Sequence, residues 1–240
     1  MSLLEVEALT VRHGLLAAVQ AVSLSIGEGE VVALVGANGA GKTTLLRAVA
    51  GAHKPDSGRI ALDGADVTRA PAHKRVTMGI ALVPEGRRLF ANLTVEENLR
   101  VAECRSERGR WNAESVFDTL PLLRPLRERR AATLSGGEQQ ATAIGRALVT
   151  NPRVLLIDEL SLGLAPVAVD AVYDTLRSVI DDGMTVLLVD QDFTRAAKVS
   201  DRVICMLEGR FVLEGKGSEL TREQITEAYF GLGATARDRV

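Results

Sequence analysis

The residues from Gly36 to Thr44, Gly-Ala-Asn-Gly-Ala-Gly-Lys-Thr-Thr, combine glycines with a lysine and two hydroxyls. Glycines let backbone N–H groups close around anionic oxygens, where side chains would block them. Lys42 carries a charge that reaches terminal phosphates, and the Thr43 hydroxyl is placed to ligand Mg2+. The run fits the pattern GxxxxGK[ST] without a gap. Gly36, Ala37, Asn38, Gly39, Ala40, Gly41, Lys42, Thr43 and Thr44 are therefore candidate contacts of a nucleoside triphosphate. A second group of reactive side chains, Asp158 and Glu159, ends the apolar run Val154-Leu155-Leu156-Ile157. Acids at a strand end are common by themselves. After a phosphate loop they read as a site of hydrolysis, with Asp158 holding Mg2+ directly or through water and Glu159 polarising the attacking water.

These side chains need elements to place them. Val31-Val32-Ala33-Leu34-Val35 reads as a buried strand before the glycine loop, and Leu45 to Ala50 as the helix after it. That strand–loop–helix context is what the pattern requires. Val154 to Ile157 and Val186 to Val189 read as central strands buried on both faces, and Ile80 to Val83 as another strand, ending at Pro84. Strand-length apolar runs alternating with helical stretches predict an α/β fold with a mainly parallel sheet. Leu4 to Val11, Val22 to Ile26 and Arg59 to Leu62 alternate more, as an antiparallel sheet beside the core would. From about residue 86 to 150 the strand pattern is lost, and helices are expected near Val95–Cys104, Trp111–Leu120 and Pro121–Arg130. This reads as an inserted helical subdomain.

Composition sets outer bounds. A chain of 240 residues that is 46% hydrophobic can bury a sizeable core. A net charge of -2 gives no sign of a polyanion partner, so no nucleic acid is expected. The basic cluster from Arg124 to Arg130 reads as a solvated helix face. The longest stretch free of charged residues, His13 to Gly27, is too short to span a bilayer, and the start of the chain lacks a secretion-signal pattern. Cys104 and Cys205 lack metal-site spacing and read as free thiols in a reducing compartment, and the three histidines are too scattered for a metal site. The polar stretch from Ala234 to Val240 is expected to fray.

Leu134-Ser135-Gly136-Gly137-Glu138-Gln139-Gln140 discriminates among phosphate-loop classes. Ser135 with Glu138 three residues on is a capping-box pattern for a following helix, read over Ala141 to Val149. A cap alone does not account for paired glycines in a first turn, which destabilise a helix but let an anion approach its backbone. Ser135, Gly136 and Gly137 therefore also read as a second phosphate grip. The segment resembles the signature motif of ATP-binding-cassette proteins. The resemblance covers nearly the whole chain and includes Ser161-Leu162-Gly163-Leu164-Ala165-Pro166, Val83-Pro84-Glu85-Gly86-Arg87-Arg88-Leu89-Phe90 and Leu93 to Leu99.

That resemblance implies a RecA-like phosphate-loop core, an antiparallel β subdomain and a helical subdomain, all in one nucleotide-binding domain over residues 1–240. It implies ATP and Mg2+ as cofactors and a second ATPase subunit, related or identical, with ATP held between the two head to tail. It places the chain on the cytoplasmic face of the inner membrane against two transmembrane permeases. Glu96 and Glu97 are read as ordinary first-turn acids and carry no chemistry. Pro84 to Phe90, Ser161 to Pro166 and Val189-Asp190-Gln191-Asp192 narrow the match. They are similar to the ATPase subunits of bacterial branched-chain amino acid importers, which also use a periplasmic binding protein. Urea and amide importers carry close relatives.

Some positions depart from the family. Glu85 stands where many cassettes have glutamine; its carboxylate can bind Mg2+ or orient water. Gln191 aligns with the switch histidine and can hydrogen-bond phosphate but carries no proton. A partner subunit that supplies a histidine in the other site would make the two sites unequal. His13 precedes Gly14 where an adenine-stacking aromatic is usual; it reads equally as a stacking ring and as an exposed turn residue. Leu160, Ala165 and Asp190 also depart from frequent family residues without removing a phosphate or metal ligand. Other readings are a cassette ATPase without a transporter, a GTPase or small-molecule kinase, and a regulatory ATP-binding module. Long coiled-coil insertions and a guanine-reading Asn-Lys-x-Asp are absent from the sequence, and Glu159 argues for turnover.

Overall fold

The computed structural model describes residues 2–103 and 109–230, so the expectations for Cys104 and for Ala234 to Val240 fall outside it. In chain order the strands are β1 (Ser2–His13), β2 (Leu16–Gly27), β3 (Val31–Val35), β4 (Ser57–Leu62), β5 (Ala65–Asp66), β6 (Ile80–Val83), β7 (Val154–Asp158), β8 (Thr185–Val189), β9 (Arg202–Leu207) and β10 (Arg210–Gly215). The helices are α1 (Lys42–Val49), α2 (Ala72–Thr77), α3 (Val95–Glu103), α4 (Ala113–Thr119), α5 (Gly136–Leu148), α6 (Pro166–Asp181), α7 (Phe193–Val199) and α8 (Arg222–Phe230).

The larger sheet has the order β10-β9-β3-β8-β7-β6, parallel except for β10. Every residue of β3, β7 and β8 is buried. Because side chains alternate across a strand, each feeds two separate cores. Val31, Ala33 and Val35 join Leu155, Ile157, Val186 and Leu188 under α5 and α6. Val32 and Leu34 join Val154, Leu156, Leu187 and Val189 under α1 and the antiparallel sheet β2-β1-β4-β5. The parallel sheet is thus the middle layer of three, which explains why its strands read as unbroken apolar runs.

Register brings the strand ends together. Asp158 pairs with Val189, Val83 with Ile157, and Leu34 with Val189. Glu85, Glu159, Gln191 and the Gly36 loop therefore leave one edge of the sheet, the carboxyl edge where open α/β sheets hold ligands. The helix behind the glycine loop is anchored from below by Arg75, which is 1% exposed. It donates to Ala48 O at 2.8 Å and Val49 O at 2.7 Å, two carbonyls in the last turn of α1, where helix-end carbonyls run short of intrahelical donors. Further bonds to Thr68 O and Ala70 O tie that helix end to the antiparallel layer.

Between β6 and β7 the described elements are all helices, with one strand-type pairing, the isolated bridge Thr94 to Arg130. One expectation needs correction there. The helix expected near Pro121–Arg130 is a 3-10 helix over Pro121–Leu126, with Arg127 as its C-cap, and stops short of Arg130. The basic cluster is exposed at Arg124, Arg129 and Arg130 as expected, and its charges are paired across the surface. Arg127 pairs with Glu96 and Glu114 at 2.7 Å, Arg124 with Asp118, and Arg129 with Glu138. The Arg127 guanidinium holds the Glu96 carboxyl down at about 2. Helix boundaries also move: α5 begins at Gly136, not Ala141, and α1 at Lys42, not Leu45. Cys205 is a free buried thiol, pushed up to about 11 by burial.

Candidate functional site

The glycine loop is shaped by contacts that admit no side chain. A Cβ on Gly36 would lie 2.2 Å from Met206 O, and one on Gly41, whose φ is +106°, would lie 2.1 Å from Ala18 O. Both neighbours are backbone, so neither can swing away. Ala40 is buried and its carbonyl accepts from Gly209 N, so it shapes the loop from beneath while Asn38, Gly39, Gly41, Lys42, Thr43 and Thr44 line the cleft. That cleft has a volume of about 430 Å3.

Lys42 is 4% exposed and donates to Gly36 O at 2.7 Å and Ala37 O at 3.0 Å. Its ammonium also lies 3.7 Å from Glu159 Oε1. Burial lowers the lysine's pKa, and the nearby Glu159 charge opposes that shift. Thr43 Oγ1 donates to Asp158 Oδ1 at 2.9 Å. Burial raises the Asp158 carboxyl and the Thr43 bond opposes it. Glu85 lines the same cleft. A hydroxyl and carboxylates form a hard-oxygen set that fits Mg2+. Among the described residues no cluster of three His, Cys, Asp or Glu could hold a metal unaided. The set therefore suits an ion that completes its octahedron with phosphate and water oxygens.

Glu159 sits at φ +56°, a left-handed backbone that costs a non-glycine residue about 1–3 kcal/mol. Its N–H donates to Val189 O at 3.0 Å, which helps hold it there. Burial raises its carboxyl pKa, with Lys42 opposing. Gln191 Nε2 donates to Glu159 Oε2 at 3.0 Å, so the acid is oriented from the end of β8 as well as charged from the glycine loop. His13 Nε2 shares a hydrogen bond with Thr44 Oγ1 at 3.1 Å, and its ring meets His53 edge-on with centroids 4.8 Å apart. The ring is both exposed and part of the cleft wall, beside Leu16 and Ala18.

Ser135, Gly136 and Gly137 do not join this cluster. Ser135 is exposed and caps α5: Glu138 N donates to its hydroxyl, and its own N–H donates to Glu138 Oε2 at 2.6 Å. None of the three lines the cleft of its own chain. Beside this turn runs a left-handed segment, Gly86, Arg87 and Arg88, all at positive φ. Arg146 of α5 donates to the carbonyls of Arg87 and Arg88, and Arg87 donates to Gln139. Sequence reasoning missed this clamp, as it missed His53 and the buried carboxylate of Asp190. Their partners are distant in the chain, and only the two adjacent arginines after a glycine hint at an unusual turn.

Four candidate segments, the Gly36–Thr44 loop, Glu85, Asp158–Glu159 and Gln191, thus meet at one sheet edge, and a fifth, Ser135–Gly137, stands apart. The sequence profile of the ABC transporter family matches residues 19–161. The chain is 40% identical over 222 residues to the high-affinity branched-chain amino acid transport ATP-binding protein BraG of Pseudomonas aeruginosa, covering 91% of this chain and 95% of that one. It is 32% identical over 237 residues to the lipopolysaccharide export system ATP-binding protein LptB of Haemophilus influenzae, covering 96% and 98%. The ADP conformation of MJ1267, an ATP-binding cassette of an ABC transporter, superposes with a TM-score of 0.83 at 29% identity, covering 96% of this chain and 99% of that one. A dimeric, post-hydrolysis structure of the cassette MJ0796 bound to ADP and Pi gives a TM-score of 0.77 at 26% identity, covering 89% and 98%. The chain belongs to the ABC transporter family, as an ATP-binding and ATP-hydrolysing subunit.

Proposed function

We propose that this chain powers the import of branched-chain amino acids. The observation that carries the reading is the match to BraG across nearly the whole of both chains, with the reactive cluster intact. In this reading ATP phosphates sit on the amides of the Gly36–Thr44 loop, and Lys42 turns from the loop carbonyls to the terminal phosphate. Thr43, Asp158 and Glu85 hold Mg2+, which when bound neutralises phosphate charge. Glu159 takes a proton from the attacking water, and Gln191 aims it. Ser135, Gly136 and Gly137 grip ATP held by a second ATPase subunit, related or identical, so that binding closes the pair and hydrolysis reopens it. The whole chain acts as one nucleotide-binding domain, with residues of about 86–150 as its helical subdomain.

Two membrane permeases and a periplasmic binding protein complete the importer, and this subunit works at the cytoplasmic face of the inner membrane. Among the described residues no helix is long and apolar enough to cross a membrane, as suits a peripheral subunit. The similarity to LptB supports a second reading, in which the same motor drives a different cargo. Reconstitution with permeases, a binding protein and a partner ATPase of the branched-chain amino acid importer type tests both. Uptake of labelled leucine, isoleucine or valine with phosphate release is the expected result. Phosphate release stimulated by another solute and not by these three overturns it.

A further inference from the structure

Asp190 follows β8 directly and is 0% exposed. Its Oδ1 accepts from Ser161 Oγ at 2.8 Å, Gln191 N at 2.6 Å and Asp192 N at 2.9 Å. Its Oδ2 accepts from Ser161 N at 3.2 Å and from Tyr173 Oη at 3.1 Å. A buried carboxylate is tolerated only when its lone pairs are satisfied, and these bonds satisfy them. Their distribution is informative. Bonds to Gln191 N and Asp192 N close a local turn, which an isolated strand end needs for its own geometry. Bonds to Ser161 and Tyr173 do something else: they join that turn to the loop after β7 and to α6, which the local turn does not require.

Ser161 lies two residues after Glu159, and Gln191 immediately follows Asp190. One carboxylate therefore fixes both sides of the 3.0 Å contact between Gln191 and Glu159. It also braces a backbone that Glu159 holds at positive φ, a conformation that persists only where the surroundings over-determine it. Tyr173 is 3% exposed, and burial followed by the Asp190 charge pushes its hydroxyl pKa up, so it stays a donor. We propose that Asp190 is a positioning residue that sets the Gln191–Glu159 pair and links its alignment to α6 through Tyr173. This rests on the reading of Glu159 as the group that activates water.

The test is a double-mutant cycle in phosphate release, with the assembled transporter and Mg-ATP. In Asp190→Asn an oxygen can keep the local turn, but the amide nitrogen faces the Ser161 N–H as donor against donor. We expect kcat to fall about tenfold, as displacement of a reacting group by a fraction of an ångström does, with KM for ATP within about twofold. On a Gln191→Ala background the same change should cost little more, since the aligned contact is already gone. Asp190→Glu should recover part of the loss. Tyr173→Phe removes a single donor and should lower kcat about threefold, by the same logic of small misplacement; it also carries the test if Asp190→Asn fails to fold. Wild-type kcat in both variants overturns the proposal, and so does an undiminished effect of Asp190→Asn or Tyr173→Phe on the Gln191→Ala background. Wild-type turnover in Glu159→Gln would instead remove the water-activating role of Glu159, while non-additivity between positions 190 and 191 would still report their coupling.

Discussion

Two glycine-bearing turns open helices in this chain, one before α1 and one before α5, and their surroundings differ. Around the first, a lysine, a threonine, two acids and a glutamine converge, and the glycine that caps α1, Gly41, has no side-chain cap bond. Around the second, the cap is complete: Ser135 and Glu138 satisfy each other's backbone, and the turn faces outward. The first needs glycine because backbone carbonyls crowd it. At the second, a Cβ placed on Gly136 meets only side-chain ends, Leu164 Cδ2 at 2.7 Å and Arg87 Nη2 at 3.3 Å. The groups proposed to act on phosphate therefore gather around one turn. The other is a finished surface, as suits a group that meets nucleotide only when a second subunit brings it, in line with the proposed head-to-tail pair.

The largest expected effect isolates the chemistry at the first turn. Glu159→Gln removes the carboxylate but keeps its shape and its place beside Gln191. Phosphate release should fall by at least about 10²-fold, the lower bound for general-base assistance, while ATP binding by titration calorimetry persists. Turnover at the wild-type rate would mean that the water is activated elsewhere.

A paired substitution sharpens the comparison itself. Gly41→Ala forces a Cβ against Ala18 O at a positive φ, two penalties of about 1–3 kcal/mol each. ATP affinity of the isolated chain should drop by at least about thirtyfold, or the chain should lose about 2–6 kcal/mol of stability. Gly136→Ala, in contrast, gains helix propensity of about 0.5–1 kcal/mol against the cost of moving two side-chain ends. Thermal midpoint and ATP affinity of the isolated chain should stay near wild type, with any loss seen only in ATP-dependent pairing of subunits. Equal damage to ATP binding from both variants in the isolated chain would erase the distinction between the turns.

How much of this was legible in the sequence depends on distance along the chain. The β3 loop and the end of β7 were readable because strand, loop and acids are contiguous: Val31 to Thr44 and Val154 to Glu159 carry their own context. The runs Val203-Ile204-Cys205-Met206 and Phe211 to Leu213, now β9 and β10, are short and were not read as strands, although Glu208-Gly209 between them is a turn signal. The helix expected through Pro121–Arg130 is present only over Pro121–Leu126 and as a 3-10 helix, and Pro125, which lacks an N–H, was a local sign against a long one. Asp190 was out of reach for a different reason. Its partners Ser161 and Tyr173 are far away in sequence, and nothing in a strand that ends in an acid says which hydroxyls will fold onto it.

The smallest expected effect asks whether the first turn extends to the base. His13 is tied to Thr44 at 3.1 Å and backed by His53, so its ring is held at the cleft wall and is not a freely turning side chain. A held ring loses little entropy on stacking, and stacking is worth about 0.5–1.5 kcal/mol beyond the area it buries. His13→Ala should therefore weaken ATP binding by roughly two- to tenfold and leave kcat unchanged. His13→Phe separates the two contributions, since it keeps a flat ring and loses the bond to Thr44. Near-wild-type affinity in His13→Phe with loss in His13→Ala would assign the effect to stacking. Equal loss in both would assign it to the hold on Thr44 and so to the shape of the phosphate loop. Unchanged affinity in both would leave the base unread by this residue and confine the recognition at the first turn to the phosphates.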